Sequence, residues 1–197
     1  MSRGKLIVIE GAHETGKQYQ AEQLQMKLGS LAFPAIHESS VVDTLFVRAY
    51  KELAKTMQPE DAQAHHLLRA AKLSKIMSST VKPNLESGMH VIMTRSWLSI
   101  AVEEQPNIDT LKRRRHGLDV AYGQLVVPDL TILLLVNEPD EAVYDSRFCS
   151  VDYLQTDARY GMHATVEGVT KLVIPESVDV LESQINEIVT SQLGIQL

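Results

Sequence analysis

Residues 5–20 read KLIVIEGAHETGKQYQ, and this stretch decides the fold of the chain. Residues 6–9 form an unbroken apolar run rich in β-branched side chains, which is typical of a strand buried on both faces. Gly11 and then Gly16-Lys17 follow with the spacing G-x-x-x-x-G-K, and the sequence becomes helical from Thr15. The order strand, loop, helix is the setting that a phosphate-binding loop requires.

The residue types in this loop suit a polyphosphate. Glycine lets the backbone turn tightly and approach the anion, so that N–H groups and the positive end of the following helix can point at it. Lys17 would add a mobile cation at the β- and γ-phosphates. The alternative is a glycine-rich turn that binds nothing. We predict that the loop binds a polyphosphate through Gly11, Ala12, His13, Glu14, Thr15, Gly16, Lys17 and Gln18.

The last motif position is Gln18, where a serine or threonine hydroxyl normally binds Mg²⁺. A glutamine carbonyl can also ligate magnesium, although the longer side chain changes its reach. Three interpretations therefore stay open: Gln18 binds the metal, caps the helix, or marks a loss of catalysis. The motif therefore predicts Mg²⁺ beside the bound phosphates, with Gln18 as the candidate metal ligand.

The composition narrows the class of protein. The 197 residues suit one α/β domain, and the formal charge of −6 argues against a protein that coats nucleic acid. A single cysteine excludes an internal disulfide and fits a reducing compartment. The longest apolar run, residues 130–136, is too short to cross a bilayer, and residues 1–10 lack a signal-peptide pattern. We expect a cytoplasmic protein with a small-molecule partner and without a nucleic-acid or membrane partner.

Strand and helix patterns alternate along the chain, and the strands are apolar throughout. This predicts a parallel sheet covered on both faces, within a single domain spanning residues 1–197. Pro34 predicts that the second strand is an edge strand or an irregular one. One helix is predicted to be amphipathic, with Leu45, Ala49, Leu53 and Met57 at helical spacing. The last helix is predicted to turn Val180, Ile185, Ile188 and Val189 inward. The predicted strands are 6–9, 32–36, 89–94, 130–136 and 171–174, and the predicted helices are 15–28, 42–57, 59–79, 97–105, 108–124, 139–148, 152–164 and 177–193.

Several landmarks together resemble thymidylate kinase. They are the phosphate loop, VIMTRS at residues 91–96, PDLT at residues 128–131 and NEPD at residues 137–140. The resemblance covers nearly the whole chain. It implies a three-layer α/β kinase fold with a five-stranded parallel sheet and helices on both faces. It also implies ATP on the loop, a monophosphate acceptor above the strand ends, a lid at about residues 145–160, and a homodimer.

The resemblance also assigns roles to individual residues. Arg95 matches the family arginine that grips the acceptor phosphate, and Glu10 matches the acid before the loop, which could equally be a structural acid. A gapless alignment puts the family's stacking phenylalanine at Arg69 and its phosphate-binding arginine at Leu73. The predicted catalytic residues are Lys17, Arg95 and Arg147, the last at the start of the lid. The predicted acceptor-binding residues are His37, Arg69, Leu73, Arg95 and Trp97, although Trp97 also suits a core position.

Departures from the family pattern leave three hypotheses open. The first is a monophosphate kinase with a diverged acceptor pocket, suited to an altered pyrimidine. The second is an impaired relative that acts as a nucleotide-binding or assembly partner, because Thr94 replaces the family's aspartate and Gln18 its hydroxyl. The third is a deoxynucleoside kinase, because Thr94-Arg95-Ser96 is similar to the Glu-Arg-Ser of that family.

Overall fold

One parallel sheet forms the centre of the molecule. The computed structural model describes residues 2–12, 15–29, 31–34, 45–58, 61–104, 126–136 and 168–197. Within these residues, five strands pair in the order β2-β3-β1-β4-β5, and every pairing is parallel. The predicted five-stranded parallel sheet is therefore confirmed, as is the edge position of the strand that contains Pro34. The strands are β1 Leu6–Gly11, β2 Leu31–Pro34, β3 Val91–Thr94, β4 Leu130–Leu135 and β5 Val169–Val173.

Helices lie on both faces of this sheet. The described helices are α1 Lys17–Leu28, α2 Leu45–Thr56, α3 Ala62–Ile76, α4 Lys82–Glu86, α5 Trp97–Glu104 and α6 Val178–Leu193. A π-helical turn, Met77–Val81, joins α3 to α4. The helices predicted at 108–124, 139–148 and 152–164 lie outside the described residues.

The alternating side chains of β1 fill two apolar layers. Leu6 and Val8 face α3 and pack with Leu73 and Met93, whereas Ile7 and Ile9 face α1 and α6 on the other side. These four apolar side chains of β1 are fully buried. Because both faces of the strand are apolar and covered, the helix–sheet–helix layering follows directly from the first ten residues.

Two details of the predicted helices were wrong. The helix predicted to stop near Ser79 continues through the π-helical turn to Glu86, and Pro83 lies in the first turn of α4. On α6 the inward positions include Leu181 but not Val180, which is 46% exposed. Ile185 and Val189 are buried as predicted, and Ile188 packs against the same layer.

The predicted apolar face of α2 is largely uncovered. Leu45 is 81% exposed and Leu53 is 49% exposed, whereas Tyr50 is buried. The helical spacing identified residues that share a face, but α2 packs on α3 instead through the side that carries Tyr50. An apolar stripe predicts burial only if another element covers it.

The Pro-Asp-Leu-Thr segment has a structural task at the opposite edge from the phosphate loop. One carboxyl oxygen of Asp129 accepts the Leu6 N–H at 2.9 Å, and the other accepts the Lys5 ammonium at 3.1 Å. Arg3 adds an ion pair at 3.1 Å. The Asp129 N–H donates to the Leu6 carbonyl at 2.8 Å, so the residue joins the start of β4 to the start of β1.

Replacing Asp129 with asparagine is expected to lower the free energy of unfolding by about 1–2 kcal/mol at pH 7. Partial burial alone would raise the pKa of Asp129, but the Leu6 N–H, Lys5 and Arg3 together lower it below 3.8. A lowered folded-state pKa means that this stabilisation is present above pH 3.8 and is lost as the pH falls further. Urea unfolding of both proteins at pH 7 and pH 3 measures the difference. A gap between them that fails to narrow at pH 3 would contradict this account.

Candidate active site

The turn after β1 has the backbone that its two glycines allow. Gly11 has φ 145°, and a Cβ atom there would lie 2.6 Å from the carbonyl oxygen of Leu134. Gly16 has φ 73° and immediately precedes the first residue of α1. Gly11 requires glycine, because a side chain there would clash with β4, and Gly16 favours glycine because other residues rarely adopt its positive φ. The strand, turn and helix that the motif predicts are thus present.

Lys17 lies folded over this turn. Its side chain is only 8% exposed, and its ammonium group donates to the carbonyl of Ala12 and lies 3.3 Å from the hydroxyl oxygen of Thr15. The Thr15 hydroxyl also donates to the Ala12 carbonyl, at 3.1 Å. The ammonium group is therefore held at the loop, at the start of a helix whose dipole favours an anion.

Arg95 stands at the end of β3, beside β1. It is 7% exposed, and its backbone N–H donates to the Ile9 carbonyl at 3.1 Å. Its φ is 67°, the only positive value among the described residues other than glycine. Because Ile9 pairs with Thr94 in the parallel register, the phosphate loop and Arg95 leave the sheet at the same carboxyl edge.

Glu10 connects these two segments. Its first carboxyl oxygen accepts the Ser96 N–H at 2.7 Å and the Ser96 hydroxyl at 2.6 Å, and its second accepts the Ser99 hydroxyl at 2.5 Å. Its side chain has no exposed surface. Burial raises the pKa of Glu10 above 4.5, although the bonds from Ser96 and Ser99 and the charge of Arg95 act in the opposite direction.

A second group of cations lies between α2 and α3. Lys72 is 1% exposed, and its ammonium nitrogen lies 4.7 Å from the centre of the Tyr50 ring. Arg69, one turn earlier on the same face of α3, is 5% exposed. Burial, followed by the charges of Lys51 and Arg69, lowers the pKa of Lys72 from 10.5 to about 8.

The direction of α3 places these cations toward the loop edge of the sheet. Further along, at the end of α4, the Leu85 carbonyl accepts the Gly4 N–H at 2.8 Å, just before β1 begins. Leu73 packs beside Val8 and Met93, in the middle of the strands. The segment from α3 to α4 thus runs from the carboxyl edge of the sheet towards its amino edge. Arg69 and Lys72 come before Leu73 along this segment, so they lie on the carboxyl-edge side of its contact with the strands.

Leu73 and Trp97 are two further predicted site residues that the structure describes. Leu73 is 3% exposed and packs in the apolar layer, so its predicted acceptor contact stays a prediction. Trp97 is half-buried and packs against two apolar clusters, which agrees with the core alternative. The remaining candidates lie outside the described residues: His13, Glu14, His37 and Arg147.

The described side chains at this edge do not provide suitable ligands for a directly bound Mg²⁺ ion. Gln18 is exposed, and its amide donates to Glu22 at 3.2 Å along the helix. Thr94 is a buried hydroxyl where a carboxylate was expected, and the serine donors engage both oxygens of Glu10. In the described part of the chain, no group of three histidine, cysteine or acidic residues could hold a metal. The predicted magnesium ligand at Gln18 stays a prediction.

Four residues of the site were missed from sequence alone. Ser96 and Ser99 hold Glu10 across 86 and 89 positions of the chain, a distance that no local pattern spans. Lys72 had a usable signal, because a lysine sits three residues after Arg69 and next to Leu73 on the buried side of α3. Tyr50 could have been found only after the pairing of α2 with α3 was known.

Known structures resemble this arrangement. A thymidylate kinase from Candida albicans matches 98% of this chain and 94% of its own, with 20% sequence identity and a TM-score of 0.69. A thymidylate kinase from Ehrlichia chaffeensis matches 95% of this chain and 99% of its own, with 15% identity and a TM-score of 0.67. This chain has a thymidylate kinase-like fold. No protein-family model and no curated protein sequence matches it.

The thymidylate kinase-like fold accounts for the position of the site. In open parallel sheets, ligands bind beyond the carboxyl ends of the strands, which is where the phosphate loop and Arg95 lie. Among the described helices, none combines the length and the apolar character that crossing a membrane requires.

Proposed function

We propose that this protein is an ATP-dependent kinase of a (deoxy)nucleoside monophosphate. One observation carries the proposal: the phosphate loop with Lys17 and the buried Arg95 lie at the same edge of a thymidylate kinase-like sheet. A lysine aimed into a glycine-rich turn suits the phosphates of a donor nucleotide. An arginine on the next strand suits the phosphate of an acceptor.

The chemistry asked of these residues is positioning and neutralisation of charge. Phosphoryl transfer between two nucleotides needs the attacking and leaving oxygens in line, with positive groups around the transferred phosphoryl. Lys17 would leave the Ala12 carbonyl and move to the donor phosphates, while Arg95 would orient the acceptor phosphate. Arg147, in the proposed lid at about residues 145–160, would neutralise charge as it spreads over the transferred group.

The residues at the proposed acceptor site favour a ligand that differs from ordinary thymidylate. Arg69 occupies the position where the resemblance implies an aromatic stacking platform, and Lys72 adds a second buried cation one turn away. A planar guanidinium can stack on a base or bind a phosphate. We therefore propose an altered pyrimidine monophosphate as the acceptor, with Trp97 and His37 as further candidate contacts.

A nucleotide-binding protein without turnover is the second candidate. The position of Gln18 favours it, because this side chain is engaged with Glu22 rather than directed at the loop. Thr94 adds to the argument, since a hydroxyl attracts a metal ion less strongly than the carboxylate that the family has there. In this candidate, the loop binds ATP and the protein serves as an assembly partner.

One experiment separates the candidates. The protein is incubated with ATP, a range of Mg²⁺ concentrations, and a panel of pyrimidine and purine monophosphates and nucleosides, while ADP release and thermal stabilisation are recorded. ADP release with a monophosphate supports the kinase, stabilisation without turnover supports the binding protein, and turnover only with a nucleoside supports a deoxynucleoside kinase. Without stabilisation or turnover, every one of these functions is excluded.

The double variant Gln18→Thr, Thr94→Asp sharpens this test, because it restores both groups that the family uses near the metal. If weak metal binding limits the reaction, ADP release rises and saturates at a lower Mg²⁺ concentration. Gln58→Thr changes an exposed glutamine between α2 and α3 and is the control. If the double variant behaves like this control, the metal is not limiting.

We also propose that the protein is a cytoplasmic homodimer. The support for the dimer is the number of exposed apolar side chains on α2 and α3, which are Leu45, Phe46, Leu53 and Leu67. An apolar surface of this kind on a small domain is commonly an interface. Analytical ultracentrifugation tests the dimer, and a monomer at every concentration up to the highest soluble one would contradict it.

A further inference from the structure

We propose that Glu10 is a positioning residue: its buried carboxyl group fixes the turn that carries Arg95 and so holds this arginine beside the phosphate loop. The inference rests on the proposed function, since it gives the acceptor-side arginine its place in the reaction. It concerns a residue that the described structure keeps out of reach of any ligand.

The geometry makes Glu10 a cap supplied from a neighbouring strand. Ser96 immediately precedes α5, and Ser99 lies in its first turn. The first N–H groups of a helix lack partners within the helix, and its dipole attracts negative charge. Glu10 supplies acceptors at this end of the helix, because one of its oxygens accepts the Ser96 N–H and hydroxyl and the other accepts the Ser99 hydroxyl.

This cap determines the conformation of the residue before Ser96. Arg95 is bonded through its N–H to Ile9 on one side and is followed on the other by a residue that Glu10 holds. Between these two anchors it adopts φ 67°, a left-handed conformation that is unfavourable for an arginine. A strained backbone conformation of this kind persists only where surrounding contacts hold it in place. Here the two anchoring contacts come from consecutive residues of β1, Ile9 and Glu10.

The arrangement also ties Arg95 to the phosphate loop. Glu10 immediately precedes Gly11, where the loop leaves the sheet, and its side chain lies on the same face of β1 as Val8. A shift of Glu10 would move the start of the loop and the start of α5 together. Donor and acceptor groups are thereby kept in a fixed relation, which is what in-line transfer requires.

The test compares Glu10→Ala with Glu10→Gln. Glutamine keeps an oxygen for the Ser96 N–H and hydroxyl, and its amide can donate to the Ser99 hydroxyl, so the turn should survive. Alanine removes every one of these bonds. Glu176→Ala, a change at an exposed residue before α6, is the control.

The first readout needs no catalysis. The arginine reagent phenylglyoxal is applied to the folded proteins, and modification of Arg95 is quantified by peptide mass spectrometry. Arg95 is expected to react at least about tenfold faster in Glu10→Ala than in the unmodified protein, and at the original rate in Glu10→Gln. If Glu10→Ala does not fold, Ser99→Ala removes one bond and should give a smaller increase of about threefold. Unchanged Arg95 reactivity in the folded variants, or equal reactivity in Glu10→Ala and Glu10→Gln, would overturn the proposal.

The second readout concerns the reaction. Glu10→Ala should lower kcat/KM for the monophosphate by about 100-fold, while the Kd for ATP changes by less than about threefold. Glu10→Gln should restore most of the rate. If the affinity for ATP falls by as large a factor as kcat/KM, the carboxyl group supports the phosphate loop rather than Arg95, and the proposal fails. If the unmodified protein phosphorylates no monophosphate, the proposed function fails, and the reactivity of Arg95 still decides whether Glu10 positions it.

Discussion

Replacing Lys17 with methionine is expected to weaken ATP binding by about 10- to 100-fold, because a hydrogen bond to a charged group contributes about 1.5–3 kcal/mol. Methionine preserves the length and much of the volume of the side chain but removes the cation. Isothermal titration calorimetry with ATP measures the loss directly, and ADP release under the proposed function should fall at least as far.

The matched control is Lys75→Met, which makes the same change at an exposed position on α3. It lowers the net charge equally, so any general electrostatic attraction of ATP falls by the same amount in both variants. Only a specific contact at the loop gives Lys17→Met the larger loss. If the two variants bind ATP equally well, the ammonium group at the turn serves its own loop, through Ala12 and Thr15, and not a nucleotide.

The starting structure makes this result informative. In the described conformation the ammonium group already bonds the Ala12 carbonyl, so ATP has to compete with the loop itself. Lys17 therefore contributes the difference between its bonds to phosphate and its bonds to the turn. This places the expected effect in the stated range rather than above it.

The fold was predictable from sequence where the pattern is local and repeated. The run at β1 is apolar on both faces, which demands helices above and below, and the glycine spacing defines the turn that follows. Pro34 correctly indicated an edge strand. The order of the strands was not predicted from the residues, because neighbours in a parallel sheet are set by crossover connections and not by the strands themselves.

The errors of the sequence analysis concern contacts between residues on different helices and strands. The spacing on α2 predicted an apolar stripe, but it could not show what covers that stripe: Leu45 and Leu53 are exposed, and Tyr50 packs on α3 instead. Glu10 was assigned either a family role or a structural one, and only the structure pairs it with serines more than 80 positions away. A sequence pattern states what a side chain can do, whereas its partner is decided by the fold.

Lys72 is another residue whose partners the sequence did not reveal, and its burial has the largest expected effect on the free energy of unfolding. Lys72→Met is expected to raise the free energy of unfolding at pH 7 by about 1–3 kcal/mol. A pKa lowered from 10.5 to about 8 means that holding the charged form in the fold costs about 3 kcal/mol. The contact with the Tyr50 ring returns part of that cost. Methionine fills a similar volume and can still pack on the ring.

The pH dependence of this stability difference shows whether the charge of Lys72 is its cause. Because the folded-state pKa lies below the unfolded one, the penalty is complete below pH 8 and disappears as the pH rises to 10.5. The difference between Lys72→Met and the unmodified protein should therefore shrink across this interval in urea unfolding. Lys75→Met is expected to leave stability nearly unchanged throughout. A stability gap that stays constant between pH 7 and pH 10.5 would mean that packing, and not charge, explains the variant.

A buried lysine that costs stability calls for a compensating role. Under the proposed function, Arg69 and Lys72 face an anionic acceptor, so Lys72→Met should bind the monophosphate about tenfold less tightly while being the more stable protein. Purely structural variants move affinity and stability in the same direction or leave affinity alone. Calorimetry with the acceptor and unfolding on the same samples distinguish the two cases. Unchanged affinity in the stabilised variant would remove Lys72 from the acceptor site and leave its charge as a cost of the fold.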